Sequence, residues 1–145
     1  MPFAPPTIGS GTSDLPAATL EQGTGDPIVL FHGVLGTPAM WSEVLPLLAS
    51  GHRAIALPAL GHYGGRSCEQ RPAKIEYVID DAERSLDALG FDRAHLVGNS
   101  MGGWVALELS RRGRARSVCA FSPAGLWNGT SPARGRSKLR AIVRL

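Results

Sequence analysis

The chain has little of what would place it outside the ordinary globular class. No window approaches the roughly 18 continuous apolar residues of a membrane span, and no such span is expected. The opening Met1-Pro2-Phe3-Ala4-Pro5-Pro6 has neither a basic stretch nor an apolar core, and does not read as a secretory signal. Only two cysteines occur, Cys68 and Cys119. Two thiols in unrelated contexts exclude a disulfide framework and any cysteine-ligand spacing for a metal, and a cytoplasmic location is the expectation. Neither a dinucleotide fingerprint nor a metal-ligand cluster appears, so no cofactor is expected. Also missing are any Asp or Glu after Glu108 and any His after His95.

What is present suits one domain. A length of 145 residues, 43% of them hydrophobic, is enough to bury a core. The 18 Gly and 11 Pro point to many turns. The net charge of +3 is unevenly laid out: all 12 acidic residues lie at or before Glu108, and nine of the 15 basic ones follow it. A basic tail can address nucleic acid. These residues, from Arg111 to Arg144, are scattered among Gly, Ser and Pro without aromatic interleaving. The reading is a solvated surface with no nucleic-acid partner.

Along the chain, residues 1–26 are rich in Pro, Gly, Thr and Ser and read as a lead-in with one short strand near Ala18–Glu21. Ile28-Val29-Leu30-Phe31 is an apolar run that suits a strand buried on both faces. Thr37-Pro38 offers an N-cap and a first-turn proline for a helix running to Leu48, with Pro46 as its blemish. Arg53–Leu57 is a second strand and Ala73–Leu89 an amphipathic helix ended by Gly90. Ala94–Gly98, Ser100–Arg112 and Ser117–Phe121 follow as strand, helix, strand. Such alternation predicts an α/β fold, a mostly parallel sheet with helices on both faces. Its ligands bind at the carboxyl ends of the strands, where loops 32–37, 58–67 and 98–103 emerge.

Gly98-Asn99-Ser100-Met101-Gly102-Gly103 lies between an apolar strand and an apolar helix. Gly-x-Ser-x-Gly is weak by itself; in that context it reads as a nucleophile turn, tight enough to require near-absent side chains beside the serine. His32-Gly33-Val34-Leu35-Gly36 ends the first buried strand. Acyl transfer needs two backbone N–H donors aimed at a developing oxyanion, and Met101 and Val34 are the best placed. His32 reads as a brace for that loop, beside Gly33.

Taken together, His32-Gly33, Gly61-His62 and Gly98–Gly103, in this order and spacing over residues 27–126, resemble the α/β-hydrolase superfamily, in its serine-nucleophile, esterase-like branch with a cap. The resemblance implies Ser100 as nucleophile, Val34 and Met101 as oxyanion donors, a partial core over 27–125, and the start of a cap over 126–145. It implies hydrolysis of carboxylic esters or related small acyl compounds through an acyl-serine. A serine in place of aspartate argues against the epoxide hydrolase and haloalkane dehalogenase branches. One departure is Leu57-Pro58-Ala59-Leu60-Gly61-His62, where relatives often carry an aspartate ahead of the Gly-His pair.

In that superfamily an Asp or Glu and then a His follow the serine. Here the last acidic residue is Glu108, inside the helix expected to follow Ser100, and no His follows His95, so the acid and base are not supplied in that order. Of the upstream histidines, His32 and His62 lie at the correct sheet edge, whereas His52 and His95 begin strands. The expectation is a truncated chain with little activity alone. Strand 117–121 would then be an exposed edge open to self-association. The alternative is a non-catalytic ligand- or partner-binding module that keeps the architecture; a C–C bond hydrolase using the same serine is a third reading.

Overall fold

A computed structural model of the chain describes residues 7–8 and 14–126. The expected cap segment, apart from Leu126, and the basic stretch 134–145 lie outside the described residues. Six strands form one sheet in the order β1-β2-β4-β3-β5-β6. They are β1 (Thr7–Ile8), β2 (Leu20–Gln22), β3 (Asp26–Phe31), β4 (His52–Leu57), β5 (Ala94–Asn99) and β6 (Ala115–Phe121). β4, β3, β5 and β6 run parallel. β2 and β1 add an antiparallel pair beyond β4. The short strand expected near residues 18–21 is β2; its partner β1 and their antiparallel sense carry no signal in the sequence.

Apolar alternation explains why β3 sits at the centre. Val29 and Phe31 face a cluster with Ile55, Leu57 and Leu96. Covering it are α2 (Ile75–Ala88), through Ile79, Ala82 and Leu86, and α3 (Met101–Arg111), through Val105, Ala106 and Leu109. Ile28 and Leu30 face the other way, onto Ala54, Ala56, Trp41 and Leu45. An uninterrupted apolar strand is what two covered faces require. α2 ends as its Gly90 predicts: with Gly90 at φ 74°, Gly90 N–H donates to Asp87 O and Phe91 N–H to Leu86 O, both 2.9 Å, a Schellman closure. Gly113 ends α3 in the same way.

The single helix expected from Pro38 to Leu48 is two pieces. Thr37 caps a 3-10 turn over Pro38–Trp41, accepting from Ala39 N–H, and α1 covers only Leu45–Leu48. Pro46 has no N–H to donate back one turn, and its ring collides with the preceding turn. It fits only at a helix start, where it stands. Trp41 and Leu45 still reach the core from the separate pieces.

Of the four described basic residues after Glu108, three find carboxylates far away in sequence. Arg112 pairs with Asp80 and Glu83, Arg114 with Glu83 and Asp87, and Arg116 with Asp26. Arg111 pairs locally with Glu108.

Candidate active site

The turn from β5 into α3 is built around contacts that exclude side chains. A Cβ on Gly98 would lie 2.1 Å from Gly102 O, and one on Gly102 would lie 2.2 Å from Phe31 O. Both obstacles are backbone, so neither can yield. Between them Ser100 takes φ 53° and ψ −113°, a conformation costing on the order of 1–3 kcal/mol for a non-glycine residue. Its backbone is held on both sides: Ser100 N–H donates to Phe121 O at 2.9 Å, and Ser100 O accepts from Trp104 N–H at 3.2 Å and Ala124 N–H at 2.9 Å. Such bonds contribute about 0.5–1.5 kcal/mol each, enough to offset the strain. The Ser100 side chain makes no capping bond to α3. Met101 is the first residue of α3, where N–H groups have no partner one turn back in the helix.

The loop after β3 lies against this turn. Phe31 is in register with Gly98, and a Cβ on Gly33 would lie 3.4 Å from Ser100 Cβ. Gly36 N–H donates to Gly33 O at 3.0 Å, closing a turn that places Leu35 at φ 62° with Val34 between. His32 is 1% exposed, and its ring is committed at both nitrogens. Ala59 N–H donates to Nε2 at 3.0 Å, so Nε2 accepts and the proton sits on Nδ1, which donates to Gly33 O at 2.8 Å. Burial lowers the His32 pKa from its ordinary 6.5; the Gly33 bond raises it and the nearby His62 lowers it further. His62 stands edge-on to His32, ring centres 5.2 Å apart, with Nδ1 bonded to Leu60 O at 3.1 Å.

A clamp that the sequence reading missed holds the loop after β4. Arg66 donates to Asp81 Oδ1 and Ser85 Oγ, 3.0 Å each, and to Asp14 O. Asp81 is 3% exposed. The signal was available: Asp81 falls on the apolar side of α2, three residues from Val78 and one from Ala82. Between this helix and the two loops is a cavity of about 10 Å³, lined by His32, Pro58, Ala59, Asp81, Met101 and Gly102 among others. That is room for one water at most, not for a substrate.

The three non-glycine residues with positive φ among the described residues, Leu35, Ser100 and Ser122, all lie at the carboxyl ends of neighbouring strands. His52 and His95 instead meet at the opposite edge, ring centres 6.2 Å apart. No group of three or more His, Cys, Asp or Glu that could hold a metal occurs among the described residues.

Comparison with known proteins gives a consistent picture. A family model described as alpha/beta hydrolase family matches residues 28–144. The epoxide hydrolase EphH of Mycobacterium tuberculosis is 60% identical over 55 residues, 38% of this chain and 26% of that protein. A 2-hydroxymuconate semialdehyde hydrolase of a Pseudomonas species is 36% identical over 115 residues, 73% of this chain and 39% of that protein. The chain therefore spans well under half the length of these relatives. Among solved structures, a hydrolase from Pseudomonas aeruginosa superimposes with a TM-score of 0.71 at 26% identity, covering 88% of this chain and 49% of that one. A serine hydrolase involved in carbazole degradation gives 0.69 at 28% identity, covering 86% and 50%.

Two predictions follow from the geometry. Gly102→Ala, which drives a methyl into a backbone carbonyl, is expected to abolish or nearly abolish cooperative folding. Gly90→Ala, with open space around it, should cost only about 1–2 kcal/mol for its left-handed backbone; urea unfolding of the two variants makes the comparison. For His32, the folded state disfavours the proton that the unfolded chain accepts near pH 6.5. Its contribution to stability is thus complete above that pH and declines as pH falls toward the lowered folded value. The stability gap between the parent chain and His32→Gln should narrow from pH 8 to pH 5, and a gap independent of pH would refute the assignment.

Proposed function

Because the chain belongs to the α/β-hydrolase family, we propose that it forms the nucleophile-bearing part of a serine hydrolase acting on carboxylic esters or related small acyl compounds. The observation that carries the reading is Ser100, held in a strained turn at the start of α3 with the Gly33–Gly36 turn against it. In this reading Ser100 Oγ attacks the acyl carbon, and the N–H groups of Val34 and Met101 receive the oxyanion. Collapse expels the alcohol and leaves acyl-Ser100, which water hydrolyses. His32 acts through Gly33, positioning the oxyanion loop, and is not the base, since both its nitrogens are engaged.

Serine chemistry also bears on the epoxide hydrolase name of one relative. A serine that opens an epoxide is left as an alkyl ether, with no carbonyl for water to attack, and the enzyme would stall. A serine acylated by an ester carries a carbonyl that water can attack, and turns over.

Activation is the missing part. In the superfamily's chain order the acid and base follow the nucleophile, and this sequence has no acidic residue after Glu108 and no histidine after His95. Loss of the base histidine from such a triad costs about 10⁶ in turnover, while the oxyanion hole and binding retain about 10³–10⁴ over water. The 145-residue chain is therefore expected to be close to inert toward p-nitrophenyl acetate. Triad-level turnover lost in Ser100→Ala would contradict this. A non-catalytic binding module is the competing reading, favoured by the Ser100 side chain's lack of a partner among the described residues. Prolonged treatment with a fluorophosphonate separates the two: slow labelling confined to Ser100 supports the hydrolase, and no labelling above that of Ser122 or Ser117 supports the module.

We also propose that β6, the outermost strand of the sheet among the described residues, pairs with a second copy of this chain through the edge that no described strand covers. Its Arg116, Ser117, Cys119 and Phe121 are exposed, and the free thiols Cys68 and Cys119 suit a reducing, cytoplasmic setting. Sedimentation velocity under reducing conditions should show concentration-dependent dimers. A monomer at every concentration would remove the proposal.

A further inference from the structure

The chain carries 15 Lys and Arg and 12 Asp and Glu, yet Arg66 is the one charged residue on loops 32–37, 58–67 and 98–103 and on residues 122–126. No charged residue occurs between Asp26 and Glu43, between Arg53 and Arg66, between Arg93 and Glu108, or between Arg116 and Arg134. Buried strands account for part of each stretch, but the loop tips are open to solvent, and there the residues are apolar or aromatic. Leu35 is 64% exposed, Tyr63 83%, Phe121 51% and Leu126 64%.

These residues come from three loops that packing and hydrogen bonds link to the Ser100 turn. The Leu35 turn abuts Ser100 through Gly33. The Tyr63 loop is tied to it by the bond between Ala59 N–H and His32 Nε2. The Phe121–Leu126 segment is tied to Ser100 by both backbone groups of the serine. Arg66, on the Tyr63 loop, is already committed to the buried Asp81 and to Ser85. Charge gathers at the opposite edge of the sheet instead, where Arg116 meets Asp26 and Arg114 meets Asp87.

Exposed leucine at φ 62° is costly on two counts. The backbone conformation favours glycine, and the side chain is left in water. Both costs fall on the residue next to Val34.

Resting on the acyl-hydrolase reading, we propose that the part of the site built by this chain selects electrically neutral, apolar acyl compounds and rejects those bearing a carboxylate near the scissile carbonyl. A carboxylate entering this rim of loops loses water and meets, among its described residues, no Lys or Arg that is not already paired. An alkyl or aryl group instead covers Leu35 and its neighbours and gains by leaving water.

Two ketones of matched shape test this without requiring turnover. Butyrophenone presents a neutral carbonyl with a terminal methyl, and 4-oxo-4-phenylbutanoate replaces that methyl by a carboxylate. Isothermal titration of the 145-residue chain should give butyrophenone at least a tenfold advantage, a size typical of one group's discrimination in an apolar pocket. Leu35→Lys keeps the same backbone demand and adds a cation, as does Tyr63→Lys on an exposed position. In either variant the preference should shrink toward parity. Equal or tighter binding of the carboxylate by the parent chain, no binding of either ketone, or a preference unmoved in both lysine variants would overturn the proposal. Ser100→Ala should retain the preference while losing fluorophosphonate labelling, so failure of the nucleophile reading and failure of the selectivity reading are distinguishable.

Discussion

At the carboxyl end of β3 the Phe31 carbonyl presses so closely on the start of α3 that no side chain fits at Gly102. The same crowding recurs one turn earlier, where Gly98 meets the Gly102 carbonyl. With no Cβ at either position, the chain reverses from strand to helix in the fewest residues, and the residue at the apex must adopt a positive φ. Ser100 is that residue. The contact also decides where the next loop begins, because Phe31 is in register with Gly98 and the chain leaves β3 at His32. Gly33 then arrives beside Ser100 with no freedom to be elsewhere. The Ser100 turn and the Gly33–Gly36 loop are therefore one construction, set by the parallel register of β3 and β5.

Much of this was legible in the sequence because it rests on local and repetitive signals. Ile28–Phe31 reads as a strand covered on both sides because each of its residues is apolar, and the two core clusters divide those residues alternately. Gly98, Gly102 and the following apolar helix mark the turn for the same reason. What escaped depends on partners remote in sequence or on a single backbone atom. Pro46 splits a helix whose apolar spacing otherwise looks continuous. β1 and β2 are short, and their place in the sheet comes from β4, not from any pattern of their own. The Arg66–Asp81–Ser85 clamp joins residues 15 and 19 apart; one charged residue on an apolar helix face was its whole signature.

Charge shows how far sequence order can mislead. Along the chain, acidic and basic residues separate at Glu108, which looks like a polarised molecule with a basic end. In space, α2 brings Asp80, Glu83 and Asp87 against Arg112 and Arg114, and the described part of that asymmetry disappears. A different segregation replaces it among the described residues, between a charged amino edge of the sheet and a carboxyl edge where loops 32–37, 58–67 and 98–103 hold one cation, Arg66, spent on Asp81. The second pattern cannot be seen until the strands are placed side by side, since it is spread over four separate stretches of chain.

Orientation and activation of Ser100 are separable properties, and the described residues supply only the first. Its strain, its backbone anchors and the neighbouring turn all arise within residues 31–36 and 98–124. The histidine nearest to this construction cannot be diverted to provide the second. For His32 to accept a proton at Nε2 it would have to release Ala59 N–H, leaving a donor without a partner at a cost of about 1–3 kcal/mol. It would also have to carry a charge at a position where burial already lowers its pKa. The Ala59 bond links the loop after β3 to the loop after β4, so releasing it would also loosen the wall that holds Gly33 against Ser100. On the proposed acyl-transfer reading, a base that loosened the Gly33 loop in order to act would lose the stabilisation that loop supplies, and His32 is better accounted for as a fixed pin between the two loops.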